Sequence, residues 1–170
     1  MISWLIKLSS HFKRDGNFFL EIYSLTGVKP KNVEYYRLAF RHSSASHDLD
    51  GLRLNNQRLE YLGDAILGAV IADVLYKNYP TKGEGFLTSM RSKIVSRKHL
   101  NHIGLQLKLN KLVLRKTART SNAKSIYGDA LEALIGAVYL DRGFEDTKAF
   151  VLDRIINVHV DVSTLENKIA

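Results

Sequence analysis

Two prolines, Pro30 and Pro80, are all that interrupt a chain of 170 residues, and no extended run alternates β-branched with polar side chains. Proline removes a backbone donor and clashes with the preceding helical turn, so its scarcity, with apolar residues recurring at helical spacing, predicts an all-α domain. Amphipathic helices are expected over Ile2–Phe12 and Asn17–Leu25, ended by Gly16 and Gly27, and then over Val33–His42. A polar loop, His47–Asn56, feeds a long helix from Gln57 to about Tyr79, which Pro80 stops. Further helices are expected over Gly85–Arg97, Lys98–Leu105, Ser125–Leu140 and Glu145–Val158, the last two parted by Asp141-Arg142-Gly143. Trp4, Phe12, Phe18 and Phe19, with Tyr35 and Tyr36, read as core rather than as platforms for stacked bases.

This length supports one ordinary core. With no cysteine, a disulfide framework, a thiolate zinc site and a cysteine nucleophile are excluded, so any metal must sit on carboxylates or histidines. The longest apolar stretch, Ala65–Ala72, falls well short of the roughly 20 residues that span a bilayer, and Lys13 and Arg14 follow the apolar Ile2–Leu8 segment, the reverse of a signal peptide's order. The expectation is a cytoplasmic protein without membrane partners.

Charge is unevenly placed. Between Gly85 and Gly128 there is no Asp or Glu but ten cations: Arg91, Lys93, Arg97, Lys98, Lys108, Lys111, Arg115, Lys116, Arg119 and Lys124. The whole chain carries +8, so without these ten the remainder is at −2. A basic patch of this kind suits the phosphates of a nucleic acid, although a merely solvated surface has the same composition. Acids flank it. On the long helix Gln57, Glu60 and Asp64 share one stripe, and after the patch Asp129 and Glu132 share another, because residues three and four apart are neighbours. Leu59, Leu62, Ile66, Ala69 and Val70 are expected on the opposite, core-facing side. Beyond Asp64 the polar stripe passes into Leu67 and Gly68, which predicts a helix buried all round after its second turn. Gly63, Gly128, Ala133 and Gly136 beside the acids suggest close helix approach, since a mid-helix glycine otherwise costs roughly 1 kcal/mol. If the two pairs face each other, a cation must join them, and oxygen-only ligation favours Mg²⁺, with Mn²⁺ able to substitute. Beside a phosphate-binding patch, such a cage suits phosphodiester hydrolysis by metal-activated water. Spacing alone equally allows ordinary surface acids, with Asp129 favouring a helix start next to a Ser125 cap.

The run Asn56-Gln57-Arg58-Leu59-Glu60-Tyr61-Leu62-Gly63-Asp64-Ala65 resembles the signature motif of the ribonuclease III family. The likeness extends to Leu38-Ala39-Phe40-Arg41-His42-Ser43-Ser44, to Gly83-Glu84-Gly85 before a basic helix, and to Ser125-Ile126 through Asp141, so it covers roughly residues 35–158. It implies an all-α, homodimeric, endonuclease-domain-like fold over residues 35–160, after an N-terminal helical extension, 1–34, and before a tail, 161–170. It further implies cleavage of double-stranded RNA, in rRNA or mRNA precursors, to 5′-phosphate and 3′-hydroxyl ends, with Mg²⁺ and no small-molecule cofactor. Carried over by position, Glu60, Asp64, Asp129 and Glu132 match the metal-binding acids, with Asp64 and Glu132 the catalytic pair. Tyr61 matches an aromatic that plugs a socket on the partner subunit, and Glu84 an acid implicated in RNA or second-metal handling. Lys124, Arg91 and Lys98 are placed as RNA contacts. Gln57 departs from the usual glutamate, leaving an amide to meet a metal's outer shell without adding charge. The family's C-terminal double-stranded-RNA-binding domain has no counterpart here, being either absent from the protein or beyond this sequence.

His99 and His102, three apart, form only a pair, and a pair without further ligands makes a poor metal site. A catalytically inactive double-stranded-RNA-binding or ribosome-associated protein of the same fold is the alternative, but it has no use for buried like charges. A nucleotide hydrolase would leave the basic segment unexplained.

Overall fold

The structure, a computed structural model, describes residues 16–116 and 125–160. The expected helix Ile2–Phe12, Trp4, Arg119, Lys124 and the tail 161–170 lie outside the described residues. The elements are α1 (Gly16–Thr26), α2 (Val33–Ala39), a hairpin of β1 (His47–Leu49) and β2 (Leu52–Leu54), α3 (Gln57–Asn78), α4 (Glu84–Ile94), α5 (Arg97–Gln106), α6 (Ile126–Arg142) and α7 (Phe144–Phe150). After α7 the chain winds through a π-helical turn, Val151–Ile156, into the short α8 (Asn157–His159).

Helix α6 is the axis of the fold. Ala130, Leu131, Ala133, Leu134, Ile135, Gly136, Ala137 and Val138 are all buried, as befits a helix packed on several sides, and Asp129 and Glu132 are half-buried among them. Its most extensive partner is α3, followed by α5 and α2. Close approach, anticipated from the glycines, is present: a methyl group on Gly63 would run into the Glu132 carbonyl, and one on Gly136 into the Leu59 carbonyl. The two backbones touch where the acids project. Asn101 on α5 holds the start of α6, its Oδ1 accepting the N–H groups of Tyr127 at 3.1 Å and Gly128 at 3.3 Å. At the far end, Asp141 accepts from the Lys31 and Asn32 N–H groups, each at 2.8 Å, and from the Tyr36 hydroxyl at 2.9 Å, tying α6 to α2. Helix α1 adds Ile22 to the same core.

Four expectations are corrected. The segment His47–Asn56 is not only loop: Asp48 faces Arg53 across a two-stranded ladder, and Asp50 and Gly51 turn it with φ of 50° and 78°. Positive φ at both corners matches the twist of a two-residue hairpin, and Asp-Gly is the sequence that tolerates it. Helix α2 stops at Ala39 rather than His42, because Leu114 bonds to the backbones of Phe40 and His42 on either side of Arg41. The last helix is broken into α7, a π-helical turn and α8 rather than running evenly to Val158. Finally, α3 is not buried all round. Its buried stripe is Leu59, Gly63, Leu67, Val70, Ile71 and Leu75, while Ala65, Ala69 and Tyr76 are exposed and Leu62 and Ile66 half-buried. Gly63 lies within that stripe, where it meets the Glu132 carbonyl of α6.

Candidate metal and nucleic-acid site

Glu60 comes from the first turn of α3, and Asp129 and Glu132 from the first two turns of α6. Each offers a carboxylate oxygen, and the three oxygens lie within 4.8 Å of one another. All three residues are half-buried, and no histidine belongs to this cluster. Asp64, one turn beyond Glu60, is exposed and lines the same cleft of about 450 Å³, together with Gln57, Tyr61, Val95, Arg97, Leu100 and Gly128. The four acids predicted to meet are therefore brought to one cleft, three of them in a tight cluster and Asp64 at its side.

The electrostatics are those of an anion cluster short of positive charge. Burial pushes the Glu132 carboxyl up to about 8, and Asp64, Glu60 and Asp129 reinforce that rise while Arg97 opposes it. Glu60 is raised by burial and then by Asp129 and Asp64, again against Arg97. Asp129 is raised by burial, offset by the Ser125 hydroxyl, Arg97 and His42. Ser125 holds the N-cap position of α6 without a side-chain bond to the helix N–H groups; its hydroxyl instead donates to Asp129 Oδ2 at 3.1 Å and so fixes that carboxylate. Three converging carboxylates, all oxygen donors, are the set a hard divalent cation binds, and its charge would reverse the penalty on Glu132. The residues fit such an ion.

The other predicted residues are distributed more widely. Gln57 lies at the cleft edge with its side chain exposed, its N–H held by the Asn55 side chain at 3.0 Å. Glu84 starts α4 and accepts from the Thr88 hydroxyl at 2.8 Å, outside the acid cluster. Arg91 and Lys98 are exposed. Lys108 and Lys111 follow the C-terminal end of α5 and line a different cleft with Arg154 and His159, so among the described residues these two cations do not lie along the acids. His99 is engaged with the Ile94 carbonyl at 3.0 Å and His102 is exposed, without a shared ligand cage. Tyr61 is 82% exposed and stands between the acidic cleft and an apolar one of about 510 Å³, lined among others by Tyr35, Leu38, Leu52, Leu62 and Leu140. Arg97 and Asn101 are the residues that sequence reasoning overlooked. Arg97 was one cation among ten, and Asn101 carried no signal beyond being a polar residue in an amphipathic helix.

A family model described as ribonuclease-III-like matches residues 32–159. The chain is 45% identical over 163 residues to ribonuclease 3 of Zunongwangia profunda, covering 95% of this chain and 67% of that protein. It is 46% identical over 159 residues to ribonuclease 3 of Azobacteroides pseudotrichonymphae, covering 93% of this chain and 60% of that one. The chain thus spans about two thirds or less of the curated relatives it matches. Among solved structures, the nuclease domain of ribonuclease III from Campylobacter jejuni, which has a region involved in dimer formation, aligns with a TM-score of 0.72 and 32% identity, covering 81% of this chain and 95% of that chain.

Proposed function

The chain belongs to the ribonuclease-III-like family, and from that membership and its acidic cleft we propose that it is the nuclease domain of a Mg²⁺-dependent endoribonuclease that hydrolyses double-stranded RNA. The observation that carries this reading is the convergence of Glu60, Asp129 and Glu132, from two helices, to within 4.8 Å, with Asp64 beside them.

In this reading Glu60, Asp64, Asp129 and Glu132 hold the ion, and Asp64 and Glu132 are the catalytic pair. When bound, Mg²⁺, or Mn²⁺ in its place, supplies Lewis-acid polarisation of a phosphodiester and acidifies water for in-line attack, leaving 5′-phosphate and 3′-hydroxyl ends. The protein contributes the rest. Glu132, whose carboxyl is pushed up to about 8 by burial and its acidic neighbours, would lose its proton to solvent on holding a divalent ion. Asp129 is held in place by the Ser125 hydroxyl, and both α6 acids are positioned by the Asn101 grip on the helix start. Gln57, at the cleft edge, would offer a neutral amide to the ion's surroundings. Glu84, Arg91 and Lys98, with Lys124 from outside the described residues, contact the duplex.

A homodimer completes the reading. Tyr61 is a large aromatic left almost fully in water, and an apolar cleft of matching character lies next to it, so a second copy would seat Tyr61 and bring two acidic clefts to the two strands of a duplex. The substrates proposed are rRNA and mRNA precursors in the cytoplasm. Among the described residues no helix is long and apolar enough to cross a membrane. An inactive RNA-binding protein of the same fold would gain nothing from clustering three half-buried acids.

The test is cleavage of a labelled RNA duplex with Mg²⁺ or Ca²⁺, parent against Glu132→Gln. Expected are cutting with Mg²⁺ only, single strands and DNA duplex spared, and a variant that is inert yet still dimeric. A variant that cuts as well as the parent removes the assigned cluster from the chemistry.

A further inference from the structure

Arg97 is the one cation among the described residues that line the acidic cleft. It is the first residue of α5, so it enters the cleft from a third helix, separate from the two that carry the acids. It is exposed, and the ion pairs found among the described residues, Arg37–Glu34, Lys77–Asp73, Arg142–Asp146 and Lys148–Asp73, do not involve it. Its charge nonetheless bears on three of the acids, Glu60, Asp129 and Glu132. A guanidinium this close to an acid cluster, and not locked to any one carboxylate, remains available to another anion.

A phosphodiester supplies that anion, and the cleft has difficulty receiving it. Four carboxylates against one divalent ion leave two negative charges facing the incoming phosphate; Arg97 halves that excess. The amide at Gln57 acts in the same direction by adding no further charge. Arginine suits the role because its planar fork gives two parallel N–H donors to the non-bridging oxygens of a phosphate, whereas lysine offers a point charge.

The geometry points to Arg97 as the phosphate-binding residue of the cleft, screening the acids in the free protein and gripping the phosphodiester once a divalent ion has taken over the carboxylates. This rests on the nuclease reading and extends it to a residue outside the acid motifs. The assignment makes two effects of opposite sign, which separates it from a structural role.

The experiment uses the full chain, with Mn²⁺ alone as the metal probe and a short RNA duplex in Ca²⁺ as the phosphate probe. Arg97→Ala should bind Mn²⁺ roughly fivefold tighter, because a like charge has left the cleft. It should bind the duplex about tenfold more weakly, with the slope of log affinity against log salt reduced by about one. Arg97→Lys should keep the parental Mn²⁺ affinity and recover only part of the duplex affinity. Unchanged duplex affinity in Arg97→Ala, or weaker Mn²⁺ binding, overturns the assignment while leaving the metal site standing. Failure of the parent to bind Mn²⁺ overturns the nuclease reading and this assignment with it.

Discussion

Glu132 carries the largest electrostatic burden among the cleft acids. Its carboxyl titrates at about 8 because it is buried beside three other acids, so in the metal-free protein the folded state holds a proton that the unfolded chain has already lost. A folded-state pKa above the unfolded value of 4.5 means that the native state binds more protons in that window. Metal-free stability therefore falls as pH rises from about 4.5 towards 8. Thermal unfolding in chelator should show a lower Tm at pH 8 than at pH 5, with Mn²⁺ restoring more of it at the higher pH. Glu132→Gln should flatten that dependence and, in chelator at pH 8, melt above the parent. A parent Tm that climbs steadily across this range in chelator contradicts the assignment. These residues were legible because each pair lies within one helical turn, so spacing alone placed its members on one face. Arg97 was not legible. Its arrival depends on where α5 begins relative to α3 and α6, which is a tertiary fact.

At the scale of elements, the contact between α3 and α6 sets the distance between the acid pairs. Gly63 lies against the Glu132 carbonyl, a backbone atom that cannot swing aside, so Gly63→Ala should force the helices apart. The expected cost is about 3 kcal/mol in chemical denaturation, together with loss of Mn²⁺ binding, whereas Gly68→Ala, with open space around it, should be neutral or stabilising. Asn101→Ala frees two N–H groups at the start of α6, with an expected loss of about 1–2 kcal/mol and weaker Mn²⁺ binding from a less fixed Asp129. The close approach was readable from Gly63 and Gly136, residues that a solitary helix would not choose. The hairpin was harder to read, because three-residue strands leave no room for an alternating pattern, although Asp50-Gly51 marked its turn. The outer face of α3 was harder to read for a related reason: Leu62, Ile66 and Ala69 look like full core in a sequence, whereas among the described residues Leu62 and Ile66 are only half-buried and Ala69 is exposed.

For the whole molecule, the exposed Tyr61 beside an apolar cleft argues for a second copy. Tyr61→Asp should shift the chain from dimer to monomer in sedimentation at micromolar concentration, with Mn²⁺ binding per chain retained, since Tyr61 lies at the cleft's edge and is not one of the clustered acids. Dimers that persist unchanged would place the interface elsewhere. Charge distribution also belongs to this scale. Among the described cations of the basic segment, Arg97 lines the acidic cleft while Lys108 and Lys111 line a separate cleft with Arg154. A count of cations could not reveal that split.

Acids from two distant stretches of chain converge on one cleft that fits a divalent ion. Calorimetric titration of the metal-free protein with Mn²⁺ tests it directly. Glu60→Gln, Asp129→Asn and Glu132→Gln should each weaken binding at least about tenfold with the fold intact, while Asp153→Asn, an exposed acid of the π-helical turn, should bind like the parent. Parental affinity in all three cluster variants would contradict the account.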